Sequence, residues 1–416
     1  MPWHRTLLLI ACLLTGTARA NDPALTLDEA VKKALDLAPQ VRAQAANVES
    51  MQSRAISAGR LPDPELVVGI DNLPVTGPDA YSTTNDFMTM RKFGVMQEFP
   101  SATKRRLEHE RAEAQANVAG AELTQTQLSI AREVAQAWIR RSTAEDSLAE
   151  LRALEPELQL QAASSRAAVA AGRSSTADAL AAEAGLAQLH NRVLRMQGEA
   201  RQATYELARW IDADASRPLA PAPLMQELPT APEVLQANIH QHGSLLPFES
   251  QIDAARLEVD LAKADRRPDW SAEFAFSKRG PDFSDMVSLE FRIGLPLFTK
   301  NRQNPMISSK QAELRRLEAE RETELRMHTA ELGQMIAEWQ QLGEQLGQYD
   351  AELLPIARDR SRAALASYRA GRGELRSALD AYAQEVDFMV ERARLRNEYG
   401  RAWAFLRYLG PEHLRH

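Results

Sequence analysis

Two hydrophobic periods take turns along this chain. Ala179, Ala182, Leu186, Leu189, Val193 and Met196 are spaced by alternating steps of three and four, as are Leu379, Tyr382, Val386, Met389 and Ala393. Such a stripe follows one face of a helix and packs knobs-into-holes against a second helix. Much of it is alanine, which lets helices approach closely and builds walls rather than thick cores. No proline falls between Ser101 and Glu155, Glu157 and Arg217, Met306 and Leu354, or Ile356 and Gly410. These stretches are rich in the strong helix formers Ala, Leu, Glu, Gln and Arg. They predict helices far longer than the ~11–12 residues of an ordinary globular helix. Ala102 to Ala170 alone would reach about 100 Å at ~1.5 Å per residue. Pro156 and Pro355 fall inside two of them and are expected to kink or locally unwind them, since each removes a backbone donor.

The second period is two. Around Glu65–Asp71, Phe87–Phe99, Trp270–Ser277 and Val287–Phe298, apolar and polar residues alternate, with aromatic and β-branched side chains and flanking Gly, Pro, Asn and Asp. This pattern predicts strands. With their flanks, most approach the ~9–11 residues of a tilted membrane strand. Four strands cannot close a barrel, which takes at least about eight, and lipid does not tolerate an open edge. Strands of this kind enter a membrane only if the chain oligomerises, and three copies would supply twelve.

The two periods recur in the same order in each half. Leu154–Ser175 aligns without a gap on Leu353–Glu374, placing Pro156 on Pro355 and Ala171-Gly172-Arg173 on Ala370-Gly371-Arg372. "RLPDPELVVGI" is echoed by "RRPDWSAEFAF", and "FGVMQEFPSATKRR" by "FRIGLPLFTKNRQ". Such self-similarity marks a duplicated unit. The first repeat spans 21–217, with a strand pair at about 62–99 and a helical hairpin at about 102–212 whose tip is 171–175. A proline-rich linker at 218–232 leads to the second repeat, 233–416. Its strand pair lies at about 268–298 and its hairpin at about 303–410, with the tip at 370–374. Gly172 and Gly371 suit turns that need a positive φ.

Residues 1–20 read as an export signal: Arg5, an apolar run from Leu7 to Leu14, then Ala18-Arg19-Ala20 at a cleavage position. Leu9-Ile10-Ala11-Cys12 also looks like a lipobox, so lipidation of Cys12 is the alternative to cleavage after Ala20. Cys12 is the one cysteine, which excludes disulfides and thiolate chemistry elsewhere. The net charge is −7, and −9 once Arg5 and Arg19 are removed. An acidic chain is a poor nucleic-acid binder. After the signal no apolar run is long enough for a membrane helix. There is no phosphate loop, nucleophile elbow or clustered His/Cys site, so neither an enzyme nor a cofactor is expected. Met88, Met90 and Met96 share a face of a predicted strand, and thioethers suit Cu(I) or Ag(I), but Met is also a common apolar filler. His240, His242, His413 and His416 lack a third ligand at suitable spacing. No metal site is assigned.

The duplicated pattern resembles the TolC family of outer-membrane efflux proteins over essentially the whole mature chain. "LTLDEAVKKALDLAPQVRAQAANV" (Leu25–Val48) looks like that family's opening helix, and "GVMQEFPSATKRRLEHERAEAQA" like its strand-to-helix junction. "FMTMRKFGVMQEF" with "RLPDPELVVGIDNLP" is similar to the heavy-metal (CusC/CzcC-like) branch. The resemblance implies a mainly α fold with membrane β. Each protomer of a homotrimer would give four strands to a twelve-stranded barrel in the outer-membrane lipid of a Gram-negative cell, and long helices to a periplasmic α-barrel. It implies a passive exit duct for heavy-metal cations. The partners would be a periplasmic adaptor (membrane fusion protein) and, through it, an inner-membrane RND transporter. The same duct in drug efflux or type I protein secretion is the alternative. The resemblance further places adaptor docking at Gly172, Arg173, Gly371 and Arg372, and a channel gate at Asp178, Asp380 and Tyr368. Where the family carries a second-hairpin acid, this chain has Ser377. Each gate acid is also what an ordinary first-turn acid, complementing the helix dipole, would look like.

Overall fold

In the computed structural model, which describes residues 23–414, each period becomes the element it predicts. The signal-like segment, Cys12 and His416 lie outside the described residues. Helix α1 (Leu27–Leu37) starts at Thr26, whose hydroxyl accepts from the Glu29 amide at 3.1 Å. Helix α2 is Pro39–Ser57. The single opening helix expected over Leu25–Val48 is therefore broken. Ala38 turns extended, with ψ 120, because the Pro39 ring disfavours the helical region for the residue before it.

Strands β1 (Glu65–Asp71) and β2 (Met90–Phe99) lead into α3 (Ala102–Ala170), and α4 (Thr176–Ile211) returns antiparallel to it. In the second half, α5 (Pro232–Ala237) and α6 (Leu246–Ala264) precede β3 (Trp270–Lys278) and β4 (Met286–Ile293). Then come α7 (Gln303–Gln348), a π-helical turn at Tyr349–Leu353, α8 (Leu354–Arg369) and α9 (Leu375–Arg407). The two prolines act differently. Helix α3 runs on through Pro156. Before Pro355 the helix widens into the π turn, on the carbonyls that the missing N–H leaves without a donor.

The four strands form one antiparallel sheet in the order β1-β2-β3-β4. Register pairs Val68 with Phe93, Phe93 with Phe276, and Phe276 with Val287, so one face is apolar across the whole sheet. That face also carries Leu66, Phe274, Leu289 and Phe291, all more than half exposed. The other face is polar, with Lys92, Glu273, Glu290 and Arg292. Two strands are shorter than their sequence pattern. β2 starts at Met90 because Asp86 accepts from the Met88 amide at 2.8 Å and holds that stretch in a turn. Met88 is thus outside the strand, and the three-methionine face does not form. β4 stops at Ile293, one residue before the Gly294 amide makes a last bond to the Asp269 carbonyl at 2.9 Å, because Pro296 has no N–H to continue the ladder.

The largest core lies where both hairpins meet the N-terminal segment, around Trp138, Leu207, Trp210, Tyr399 and Trp403. The repeats use the same device there. Trp138 on α3 donates to the Leu25 carbonyl at 3.2 Å, and Trp339 on α7 donates to the Met225 carbonyl at 3.1 Å. The proline-rich segment is therefore not a free tether. Its Leu219 bridges Leu25 in parallel, and Tyr399 and Trp403 hold the carbonyls of Met225 and Glu227 at 2.7 and 3.0 Å.

Candidate functional site

The hairpin tips are two versions of one turn. Each helix ends in a Schellman-type closure. The Arg173 amide reaches the Ala168 carbonyl at 2.8 Å, and the Arg372 amide reaches the Ser367 carbonyl at 3.0 Å. The residue between is glycine at φ +67 in the first tip (Gly172) and φ +69 in the second (Gly371). A Cβ at either would touch nothing within 4 Å, so conformation alone requires glycine. Arg173 and Arg372 project exposed from the tips.

The returning helices start differently. Ser175 and Asp178 form a capping box. The Asp178 amide donates to Ser175 Oγ at 3.1 Å, and Ser174 Oγ and the Ser175 amide donate to the Asp178 carboxylate at 3.0 and 3.3 Å. The hydrogen bonds from Ser175, then Ser174, hold this carboxyl below the usual carboxylate range. In the second tip Glu374 occupies the N-cap without a side-chain bond, and Ser377 stands where Asp178 would repeat. The S-x-x-D motif was readable in the sequence as a capping signal.

Asp178 and Asp380, one from each hairpin, line a single groove of about 420 Å³ between α4 and α9. Arg192 and Arg376 share it, with Leu158 and Tyr382 at its floor. Burial pushes the Tyr382 hydroxyl up to about 12, so it stays neutral. Tyr368 lies half-buried beside Ala162, Ala182 and Leu375 under the tips. The structure thus sets the two acids on one groove, while Tyr368 packs in the apolar cluster under the tips and is not part of the groove lining. Sequence spacing gave no sign of the bases. Arg192 pairs with Asp387 at 2.7 Å across the hairpins, and Arg392 and Arg396 of α9 reach Glu150 and Asp146 of α3 at 3.0 and 2.9 Å.

A second polar surface runs across the sheet. Glu273, 4% exposed, receives Lys92 from β2 and Arg292 from β4, the latter at 2.9 Å. Arg292 also holds Glu290 at 2.8 Å. Charges satisfied in this way cross three strands on the face opposite the apolar one. Among the described residues no group of three or more His, Cys, Asp or Glu side chains is placed to hold a metal ion. His242 instead meets His328, with Nδ1 and Nε2 2.9 Å apart and both rings buried.

The family profile described as Outer membrane efflux protein matches residues 30–211 and 234–409. No curated protein sequence matches the chain. Among solved structures, a membrane protein from Pseudomonas aeruginosa is similar over 92% of this chain and 90% of its own, with a TM-score of 0.79 and 19% identity. CusC is similar over 92% of both chains, with a TM-score of 0.76 and 16% identity. The outer membrane protein VceC from Vibrio cholerae covers 93% of this chain and 97% of its own, with a TM-score of 0.74 and 19% identity.

Proposed function

Because the chain belongs to the outer membrane efflux protein family, a family of passive ducts and not of enzymes, we propose that it is the exit duct of a tripartite pump for heavy-metal cations. The observation that carries the duct is the sheet. It has one face apolar and exposed, one face polar, and unpaired edges at β1 and β4. Alone, such a sheet is stable neither in water nor in lipid. Joined edge to edge in a homotrimer, the sheets close into a twelve-stranded barrel in the outer membrane. The apolar face then meets lipid, and the Lys92–Glu273–Arg292–Glu290 network lines the lumen. The hairpins hang into the periplasm as a helical tube. Gly172, Arg173, Gly371 and Arg372 dock the periplasmic adaptor, which links the duct to an inner-membrane RND-type transporter. Asp178, Asp380 and Tyr368 form the gate, and three-fold symmetry turns each acid into a ring that favours cations.

Metal cations as cargo are supported by the sequence likeness to the heavy-metal branch and by the two acids that line the tip groove. The test is a growth-inhibition panel of copper, silver, zinc, cobalt, cadmium and several drugs, on cells lacking the gene and on cells with it restored. Sensitivity to one or two metals, reversed by the gene, is the expected result. Sensitivity to drugs alone would discard the metal cargo and leave the duct in drug efflux.

A further inference from the structure

The two ends of the sheet differ in charge. At one end lie the connections 72–89 and 279–285, with four acids and one cation. At the other end, where the strands meet the helices, lie residues 60–64, 100–106, 265–269 and 294–302, with eight cations and three acids. All four strand termini at that end carry a base, in a chain whose net charge is −7. The excess is therefore local, not a reflection of composition.

Pairing does not cancel it. Lys104 is neutralised by Asp265 and Asp269, at 3.1 and 2.6 Å, and Arg106 by Glu110 of the next turn, at 2.6 Å. Arg266 and Arg267, however, bond to neutral oxygens. Arg266 donates to Asn304 Oδ1 at 2.7 Å and Arg267 to Thr103 Oγ1 at 2.6 Å. Both are exposed, as are Lys300 and Arg302. These contacts also fix the level of the cations, since Thr103 and Asn304 belong to the first turns of α3 and α7. Directly beside them the apolar face of the sheet ends in the stacked pair Phe99–Trp270, with ring centroids 4.2 Å apart. Leu297 and Phe298 follow, 74% and 75% exposed. Arg267 is three residues from Trp270, about 10 Å along an extended chain. An aromatic and aliphatic rim with cations one step further out matches the acyl boundary and the phosphate layer of a bilayer leaflet.

We propose that this collar binds the headgroups of anionic phospholipid in the periplasm-facing leaflet of the outer membrane. The occupant follows from charge complementarity and from continuity with the lipid-facing sheet. The proposal rests on the family's outer-membrane placement and is independent of the cargo, so the growth panel and the lipid test fail separately.

The test uses the full chain in mixed micelles of neutral detergent with either phosphatidylglycerol or phosphatidylcholine. Phosphatidylglycerol is expected to raise Tm by about 3 °C or more over phosphatidylcholine, as a ligand of the folded state does. The gain should vanish in Arg266→Gln/Arg267→Gln/Lys300→Gln/Arg302→Gln. It should persist in Arg152→Gln/Arg201→Gln/Arg326→Gln/Arg362→Gln, which removes as much charge from the exposed helices. Equal gains from the two lipids, loss in both variants, retention in the collar variant, or the same gain from inorganic phosphate would each overturn the proposal. If the collar variant melts early in both lipids, native mass spectrometry decides. Fewer phosphatidylglycerol molecules carried than by wild type supports the collar, and an equal number overturns it.

Discussion

Burial governs His242. Its ring is 2% exposed, touches His328, and cannot be charged without losing hydration and meeting a second imidazole. Burial first, then His328, pushes its pKa down from 6.5 to about 4. Here the folded value is depressed, so the neutral ring's contribution is complete above pH ~6.5 and is lost as pH falls toward ~4. Thermal denaturation between pH 7 and 4 should show a loss on the order of 2–3 kcal/mol that His242→Phe largely removes. A variant whose pH profile parallels wild type would show that the ring is not the cause. Sequence reading noticed His242 but set it beside His240, two positions away. Its actual partner is 86 residues distant, on α7. No local pattern encodes that contact, and the same holds for Arg192 and Asp387.

The elements themselves were far more legible. Proline-free heptad stretches foretold α4 and α9, and period two foretold four strands, because each period dictates which face can be buried. The differences lie at the ends, where turn chemistry decides: Pro39 split the first helix, and Pro296 shortened β4. The tips show how position sets the meaning of glycine. Gly172→Ala or Gly371→Ala, at φ +67 and +69, should cost about 1 kcal/mol each, since the left-handed region penalises any Cβ. Gly198→Ala should do the reverse. It lies inside α4 with nothing within 4 Å, so alanine should stabilise by about 0.5–1 kcal/mol. Hydrogen exchange at the hairpin amides reads both signs, and a gain at the tips would contradict the turn geometry. The gate residues were legible only through family likeness. Physics adds that Asp178 is first a capping residue, and that Asp380 shares its groove.

For the whole molecule, the sheet makes the sharpest demand. Leu289 is 62% exposed on the apolar face, and Ser288 beside it points to the polar one. Leu289→Arg should cost about 2–4 kcal/mol near mid-bilayer and reduce the yield of outer-membrane trimer, whereas Ser288→Arg should be tolerated. The two yields, compared in isolated outer membranes, should differ several-fold, and equal yields would mean that this face does not meet lipid. The bridge between Leu25 and Leu219 sets a demand of another kind, on timing. A chain exported from its N-terminus delivers Leu25 long before the segment that covers it. Until α9 arrives with Tyr399 and Trp403, neither Trp138 nor residues 218–228 have a finished core to enter, and the first hairpin must wait half-assembled in the periplasm. That interval is when its alanine-lined seam lies open to any chaperone or protease in the compartment, and its length is set by the rate of export rather than by the rate of folding.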